Sequence, residues 1–149
     1  MARTHVAIID PKFADRILAG EKTAEVRLTR TRRAPFGVVS LGDEILFRAR
    51  SGWYVARALV DRADCIEIGS REDFRRVRAL CSDGACAPAS FWKERAEARY
   101  ATIVWLAGVE PTAAGPDPRS VAAPGCRSAW FVVDPSNTEW VCEPQLARA

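Results

Sequence analysis

The sequence contains a single histidine and no long hydrophobic segment. A membrane-spanning helix needs about 20 mainly apolar residues, and no run in this chain approaches that length. The N-terminal residues also lack the apolar stretch of a secretory signal, so we expect a cytoplasmic protein with no membrane partner. The chain has no internal repeat. Its 149 residues, 48% of them hydrophobic, indicate one folded domain rather than a disordered chain.

The cysteines are odd in number, which argues against a disulfide framework in a chain without a secretion signal. They are Cys65, Cys81, Cys86, Cys126 and Cys142. Cys81 and Cys86 would supply only two metal ligands, whereas structural zinc uses four, usually in closer pairs. The single histidine, His5, is remote in sequence. We therefore predict free cysteines, several of them in the core, with no metal and no cofactor.

Positive charge is small in total but clustered. The formal net charge is +3, and nearly all of the basic residues are arginine. The clusters are Arg27, Arg30, Arg32 and Arg33, then Arg48 and Arg50, then Arg71, Arg75, Arg76 and Arg78. The planar guanidinium group suits phosphate groups and base edges, so the clusters favour a nucleic-acid partner. The alternative is that they are solvated surface residues of an arginine-rich sequence.

Hydrophobic periodicity and turn residues predict short strands interrupted by short helices. Strands are expected at 4–9, 23–28, 44–50, 53–63, 99–109 and 127–133. A first helix should begin after Asp10 and end before Gly20, and a second should run from Ser70 to about residue 80. The second helix should have an apolar stripe of Phe74, Val77 and Leu80. Loops are expected at 81–88 and 111–125, with a helical turn between them, capped by Ser90, that carries Phe91 and Trp92.

This order of elements predicts an α+β fold, a small mixed β-barrel with flanking short helices. The strands at 44–50 and 53–63 should form a hairpin. No repeated strand–helix–strand unit demands a parallel sheet. We expect one domain over residues 1–149, with its core at about 4–134 and a C-terminal tail at 135–149.

A short charged motif, Gly-x-Lys-x-x-Glu-x-Arg, occupies residues 20–27, where the first helix leads into a strand. Lys22 follows the helix C-terminus, where the helix dipole favours a cation. In the strand, Ala24, Val26 and Leu28 form a face that can enter a core, and Thr23, Glu25 and Arg27 form the opposite face. Adjacent carboxylate and guanidinium groups with an ammonium nearby suit a polar ligand. The alternative is a weak surface ion pair.

The motif resembles the hallmark of the ASCH domain, a small β-barrel family related to PUA domains. Residues 11–20 resemble the family's short helix ending in glycine, and residues 41–47, Leu-Gly-Asp-Glu-Ile-Leu-Phe, resemble its turn and strand. Residues 100–104 resemble a later strand of the family. The similarity covers about residues 5–110 in the right order, and it implies a PUA-like barrel.

The resemblance also implies a ligand cleft between the barrel and the helices, for nucleic acid or a modified nucleoside. Some ASCH proteins are amidohydrolases of acetylated cytidine, and some cleave RNA. Lys22 matches the catalytic lysine of the amidohydrolase branch, but Glu25 occupies the position of its threonine, and Thr23 is out of register. The branch's further glutamate has no clear counterpart, and Asp83 is the nearest acid. No complete catalytic set is present, so we favour binding.

Two functions therefore follow. The first is RNA binding, with a nucleotide or modified base held in a basic cleft. The alternative is a small hydrolase, a ribonuclease or an acetylcytidine-type amidohydrolase, that uses Lys22 and Glu25 as catalytic residues. A scaffold without a ligand is a weaker third interpretation.

Each candidate binding residue has a role that follows from its chemistry. The set is Lys22, Thr23, Glu25, Arg27, Arg30, Arg32, Arg33, Trp53, Tyr54 and Tyr100. Lys22 would anchor charge, Glu25 would accept from a base's exocyclic amine, and Arg27 would hold a phosphate or orient Glu25. The arginines at 30–33 would follow a backbone, and the three aromatic residues would stack on bases or belong to the core. We predict that Lys22, Glu25 and Arg27 line one cleft.

Overall fold

The computed structural model describes residues 2–50, 52–117, 128–136 and 139–142. The strands are β1 (Thr4–Ile9), β2 (Ala24–Thr29), β3 (Glu44–Ala49), β4 (Tyr54–Glu67), β5 (Tyr100–Pro111), β6 (Ala114–Pro116), β7 (Trp130–Val132) and β8 (Trp140–Cys142). The helices are α1 (Pro11–Leu18), α2 (Arg71–Ala85) and α3 (Ala89–Glu94). The longest of these helices has 15 residues, and none of the helices in the described ranges is long and apolar enough to cross a membrane.

Six strands form a curled half-barrel in the order β2-β5-β4-β3-β1-β7, and β6 pairs separately with β8. This arrangement confirms the predicted α+β fold, a small mixed barrel-like sheet with flanking short helices. The β3–β4 hairpin is antiparallel as predicted, but β1 and β3 are parallel. No local pattern in the sequence predicts that parallel pairing. It is possible because α1, β2 and a loop separate the two strands and provide the long crossover that a parallel pair needs.

The curl of the sheet follows from β4, which runs to Glu67 rather than ending near residue 63. Its register against β5 shifts between Arg57 and Leu59 and again between Val60 and Arg62. Such irregularities bend a strand and increase its twist. The long strand can therefore pair with β3 over its first half and with β5 over most of its length.

Two hydrophobic clusters hold the helices against this sheet. The first joins α1 to β1, β3 and β4 and contains Ile9, Ile17, Ile45, Phe47 and Val60. The second joins β2 and β5 to α2 and α3 and contains Ala24, Val26, Val77, Trp92 and Ile103. The motif strand β2 thus contributes its predicted apolar face to the second cluster.

Helix α2 extends five residues beyond its predicted end and includes most of the segment predicted as the 81–88 loop. Leu80 is 48% exposed, so its place in the predicted stripe was wrong. The buried positions are Val77, Cys81 and Ala85, which are spaced four residues apart on one helix face. Gly84 permits the close approach of this last turn to β2, since a Cβ there would lie 2.9 Å from Thr23 Oγ1.

The predicted helix caps are correct at two of three sites. Asp10 caps α1 by accepting from Lys12 N, and Ser70 caps α2 by accepting from Asp73 N. Helix α3 begins after Pro88 rather than Ser90, and it has no side-chain cap. The predicted loop at 111–125 begins with the end of β5 and contains β6, and its remainder from residue 118 lies outside the described residues. The segment assigned to a tail contributes β8.

Candidate nucleic-acid interface

A cleft of about 400 Å³ lies where β2 faces the end of β1 and the start of β7. Its floor includes Glu25, Arg27 and Trp130, and its walls include Phe13 from α1 and Phe91 from α3. Arginines from three different segments also line it: Arg33, Arg50 and Arg95. The lining therefore combines aromatic rings and four arginines with the acidic residues Asp10 and Glu25.

Strand β2 directs the polar face of the motif into this cleft rather than into bulk solvent. Glu25 is 7% exposed, and the side chain of Arg27 is 18% exposed. Ala24 and Val26 are buried on the other face, so both faces of the strand are covered. A surface ion pair, the alternative interpretation of these two residues, does not describe this geometry.

Lys22 lies behind Glu25 and is not among the residues that line the cleft. Its Nζ donates to Ala24 O at 2.9 Å and Ala85 O at 2.6 Å, and lies 3.7 Å from Glu25 Oε2. Ala85 ends α2, so the cation lies at the C-terminus of α2, whereas the sequence placed it at that of α1. An ammonium group can only donate hydrogen bonds. Because Lys22 donates to one carbonyl of β2 and one of α2 and pairs with Glu25, it joins β2 to α2 and positions the Glu25 carboxylate.

Arg27 spans the gap between β2 and the opposite edge of the half-barrel. Its Nε donates to Glu25 Oε1 at 3.2 Å, and its terminal nitrogens donate to Ile8 O at 3.0 Å and Ala129 O at 3.4 Å. Its guanidinium carbon lies 5.3 Å from the centre of the Trp130 ring. Three of its five donors are engaged, which fits the predicted role of orienting Glu25 better than that of holding a phosphate.

The two oxygens of Glu25 have different surroundings. Oε1 accepts from Arg27, whereas Oε2 is buried and accepts no hydrogen bond from any residue that the structure describes. Lys22 Nζ lies 3.7 Å from Oε2, at ion-pair distance. The site is therefore a buried carboxylate held by two cations.

The ASCH domain model matches residues 8–113 of this sequence. The chain belongs to the ASCH domain family. This confirms the resemblance in the motif, and the family is generally linked to RNA binding.

Solved structures support the fold assignment. The ASCH protein of Zymomonas mobilis is 20% identical, with a TM-score of 0.58, and the match covers 73% of this chain and 70% of that one. A tyrosine-to-phenylalanine variant of that protein gives 20% identity and a TM-score of 0.59 over 73% of this chain and 72% of its own. None of the curated proteins matches this sequence significantly.

A buried polar network lies next to the cleft of this ASCH domain. His5 is fully buried, with Nε2 2.8 Å from Asp43 Oδ2, and its Nδ1 accepts from Trp130 Nε1 at 3.0 Å. Because an indole only donates, Nδ1 must be the acceptor and Nε2 must carry the proton. Burial lowers the pKa of His5, outweighing the hydrogen bond and charge of Asp43. The network fixes the Trp130 ring against which Arg27 lies.

Asp43 joins His5 to the backbone at the end of this network away from Trp130. Its carboxylate also accepts from the backbone N–H groups of Arg3 and Ser40. Burial raises the pKa of Asp43, but these hydrogen bonds and that of His5 together lower it below its ordinary value. Sequence reasoning took Asp43 as a turn residue and considered His5 only as too remote in sequence to complete a metal site. A polar residue within the apolar strand 4–9 was the signal that was available.

The arginines predicted to follow an RNA backbone do not all lie at the cleft of the ASCH domain. Arg33 lines the cleft and forms no ion pair with the described residues. Arg30 pairs with Glu97 at 2.9 Å, and Arg32 pairs with Glu67 at 3.7 Å; both lie outside the cleft. Thr23 is exposed and lies outside it too, with its backbone N–H donating to Gly84 O at 2.9 Å.

The three predicted stacking residues do not line the cleft. Tyr54 is 2% exposed and its hydroxyl donates to Pro116 O, so a stacking role for it was wrong. Burial raises its pKa to about 12. Trp53 donates to Ala113 O at 2.8 Å, and Tyr100 packs edge-on against Phe36 with ring centres 5.1 Å apart. The alternative, that aromatic residues belong to the barrel's packing, describes these positions better.

The cleft's own aromatic residues were not among the predicted site residues. Phe13 and Phe91 lie in segments predicted only as helical, and Trp130 lies in a segment predicted only as a strand. Their position in one cleft depends on long-range packing between α1, α3 and the segment before β7, which no local pattern reveals.

The cysteines of the described ranges, Cys65, Cys81, Cys86 and Cys142, are free, and Cys126 lies outside those ranges. Cys81 is buried, which raises its pKa to about 11, and its Sγ donates to Val77 O. Cys86 Sγ donates to Glu21 O. In the part of the chain that the structure describes, no group of three or more His, Cys, Asp or Glu residues is arranged to hold a metal ion.

Proposed function

We propose that this ASCH domain binds RNA by taking one base, or a modified base, into the cleft beside Glu25. The observation that carries this proposal is the Glu25 carboxylate, which lines the cleft and is held there by Arg27 and Lys22. A carboxylate accepts from the exocyclic amine of a base, as Glu and Asp do from cytosine N4. A base in the cleft would therefore donate its amine to this carboxylate.

The remaining cleft residues fit the other parts of a nucleotide. A volume of about 400 Å³ lies within the range of small-ligand sites. Phe13 and Phe91 offer apolar walls to the base, and Arg33 and Arg50 are exposed arginines that suit phosphate groups. Arg27 and Lys22 would keep the carboxylate charged and oriented while the base is exchanged.

Replacing Glu25 with glutamine tests the proposal. E25Q keeps an oxygen for Arg27 but directs an amide donor at the exocyclic amine. A hydrogen bond to a charged group contributes about 1.5–3 kcal/mol, so cytosine- or adenine-containing dinucleotides should bind about 10- to 150-fold more weakly. Uracil lacks this amine, and its binding should change much less. Isothermal titration calorimetry measures both affinities.

The matched control is E21Q, an exposed acid in the same motif that lies outside the cleft. It should bind as the wild type does, and circular dichroism should show that both variants fold. Equal affinity of E25Q and wild type for the cytosine and adenine ligands would refute the proposal. An equal loss for uracil would refute the hydrogen-bond argument.

Hydrolysis is the second candidate, and the same carboxylate favours it. A buried carboxylate oriented by Lys22 and Arg27 suits a general base for a water molecule next to a bound substrate. Incubation with RNA and with acetylated cytidine, followed chromatographically, tests this. Turnover by the wild type and E21Q but not by E25Q would support it, whereas no turnover by the wild type would leave binding as the better account.

A further inference from the structure

A second basic groove, about 810 Å³ in volume, lies between the start of α2 and the segment that leads into β5. Five arginines line it: Arg30, Arg71, Arg75, Arg78 and Arg99. The one acidic residue in its lining is Glu97, which pairs with Arg30. The groove therefore has a strongly positive lining.

Most of these arginines are available to a ligand. In the described ranges, no carboxylate forms an ion pair with Arg71, Arg75, Arg78 or Arg99. All of them are exposed, although the guanidinium of Arg78 also lies 5.8 Å from the Trp92 ring centre. The nearby acids of α2 are occupied elsewhere, since Glu72 pairs with Arg76 and Asp73 accepts from Gly69 N.

The floor of the groove is apolar. Ile68 is buried, and Phe74 is partly exposed and packs edge-on against Trp92, with ring centres 6.1 Å apart. An aromatic floor between guanidinium groups suits a chain of alternating phosphates and flat rings. An acidic peptide would satisfy the charges but would not use the floor in this way.

The groove is continuous with the cleft that contains Glu25. A shallow depression of about 370 Å³ lies between them. It shares Leu28, Thr29, Arg33 and Arg95 with the cleft, and Arg30 and Ala98 with the groove. Arginines thus follow one another from Arg50 and Arg33 at the cleft through Arg30 to Arg71 and Arg75 at the groove.

We infer that this path holds a single-stranded RNA of several nucleotides, with its phosphates on the groove arginines and one base against Phe74. The inference rests on the proposed function, because the strand is the one whose base occupies the cleft. Guanidinium forks bind phosphates bidentately, and aromatic faces accept any base, so the groove adds affinity and length dependence without reading sequence.

The test compares two ligands and two matched double variants. R71Q/R75Q removes two charges from the groove, and R57Q/R62Q removes two exposed charges from β4, outside the cleft, the depression and the groove. Fluorescence anisotropy at several salt concentrations measures binding of a dinucleotide and of an RNA of about 12 nucleotides. Thermal melting checks that each variant folds.

For the longer RNA, R71Q/R75Q should flatten the log–log salt slope by about 1.4, since each lost phosphate contact removes about 0.7. Loss of these two phosphate contacts should lower the affinity for the longer RNA about 25-fold at 0.1 M salt. The dinucleotide, which reaches only the cleft, should bind unchanged. R71K/R75K keeps the charges and should retain most of the slope, whereas R57Q/R62Q should leave it unaltered.

Several results would overturn the inference. The inference fails if R71Q/R75Q binds the longer RNA as R57Q/R62Q does, or if it weakens dinucleotide binding equally. A polyglutamate of equal charge that competes as well as the RNA would identify an acidic peptide as the occupant. A different result separates this inference from the proposed function: if E25Q has no effect but R71Q/R75Q flattens the slope, the groove stands and the cleft assignment fails.

Discussion

Replacing Lys22 with methionine should destabilise the fold far more than removing a surface lysine does. Methionine keeps the length of the aliphatic side chain and removes the ammonium group. Lys22 is 5% exposed, and its Nζ contacts Ala24 O, Ala85 O and Glu25 Oε2. The variant would leave the Glu25 carboxylate buried with Arg27 on one oxygen only. It would also leave the last carbonyl of α2 without this donor.

The size of the effect depends on whether the ion pair is buried or exposed. Removing one partner of a buried pair costs about 3–5 kcal/mol, whereas an exposed pair contributes about 0–1 kcal/mol. For a domain of this size, each kcal/mol lowers the melting temperature by roughly 2–4 °C. K22M should therefore lower it by roughly 6–20 °C, and urea unfolding should give the corresponding change in unfolding free energy.

Lys12 provides a matched control. Its Nζ, like that of Lys22, lies 5.3 Å from the centre of the Phe13 ring, but Lys12 is exposed on α1. K12M should change stability by no more than about 0.5 kcal/mol. In K22M/E25Q the buried charge is also removed, so the double variant should be more stable than the sum of the single effects by about 0.5–3 kcal/mol. Equal stability of K22M and K12M would refute the reasoning.

Two further predictions concern the packed interior. The pKa of His5 in the folded protein lies below its ordinary value near 6.5, so the unfolded chain binds the proton more readily. The contribution of His5 to stability should therefore be fully present above about pH 6.5. Below that pH, the free energy of unfolding should fall by up to about 1.4 kcal/mol per pH unit. Urea unfolding across pH 5–7.5 and NMR titration of the single imidazole measure this, and titration at or above 6.5 would contradict it. G115A should cost about 1–3 kcal/mol, because the added Cβ would lie 2.6 Å from Tyr54 ring atoms. G52A, with its nearest neighbour at 3.6 Å, is the control, and equal unfolding free energies for the two variants would count against the packing argument.

The local parts of the fold were predictable from the sequence. The first strand, the Asp10 cap and the Ser70 cap each depend on a few neighbouring residues, and the structure has them where the pattern indicated. The β3–β4 hairpin follows similarly from two alternating segments joined by a short turn. The parallel pairing of β1 with β3 depends on residues 40 positions apart, and no local pattern specifies it.

Errors arose where a distant segment decides burial. Leu80 and Cys81 are adjacent, and the apolar periodicity favoured leucine for the core. The position of β2 against α2 instead buries Cys81 and leaves Leu80 exposed. Tyr54 was a candidate for base stacking from its residue type, with the core as the alternative, and β6 covers it through Pro116. Residue type alone does not distinguish a ligand contact from a core contact.

Prediction from the sequence has the same limit within the motif strand. Alternation correctly placed Glu25 and Arg27 on one face, but it could not determine whether that face is exposed to solvent. The answer lies in the partners of Arg27, which are carbonyls 19 and 102 residues away at Ile8 and Ala129. Because those partners occupy Arg27, the proposed phosphate role moves to Arg33 and Arg50, and the proposed acceptor role remains with Glu25. The same long-range packing fixes this carboxylate on the cleft lining between Arg27 and Lys22, which is why its role depends on the fold and not on the strand alone.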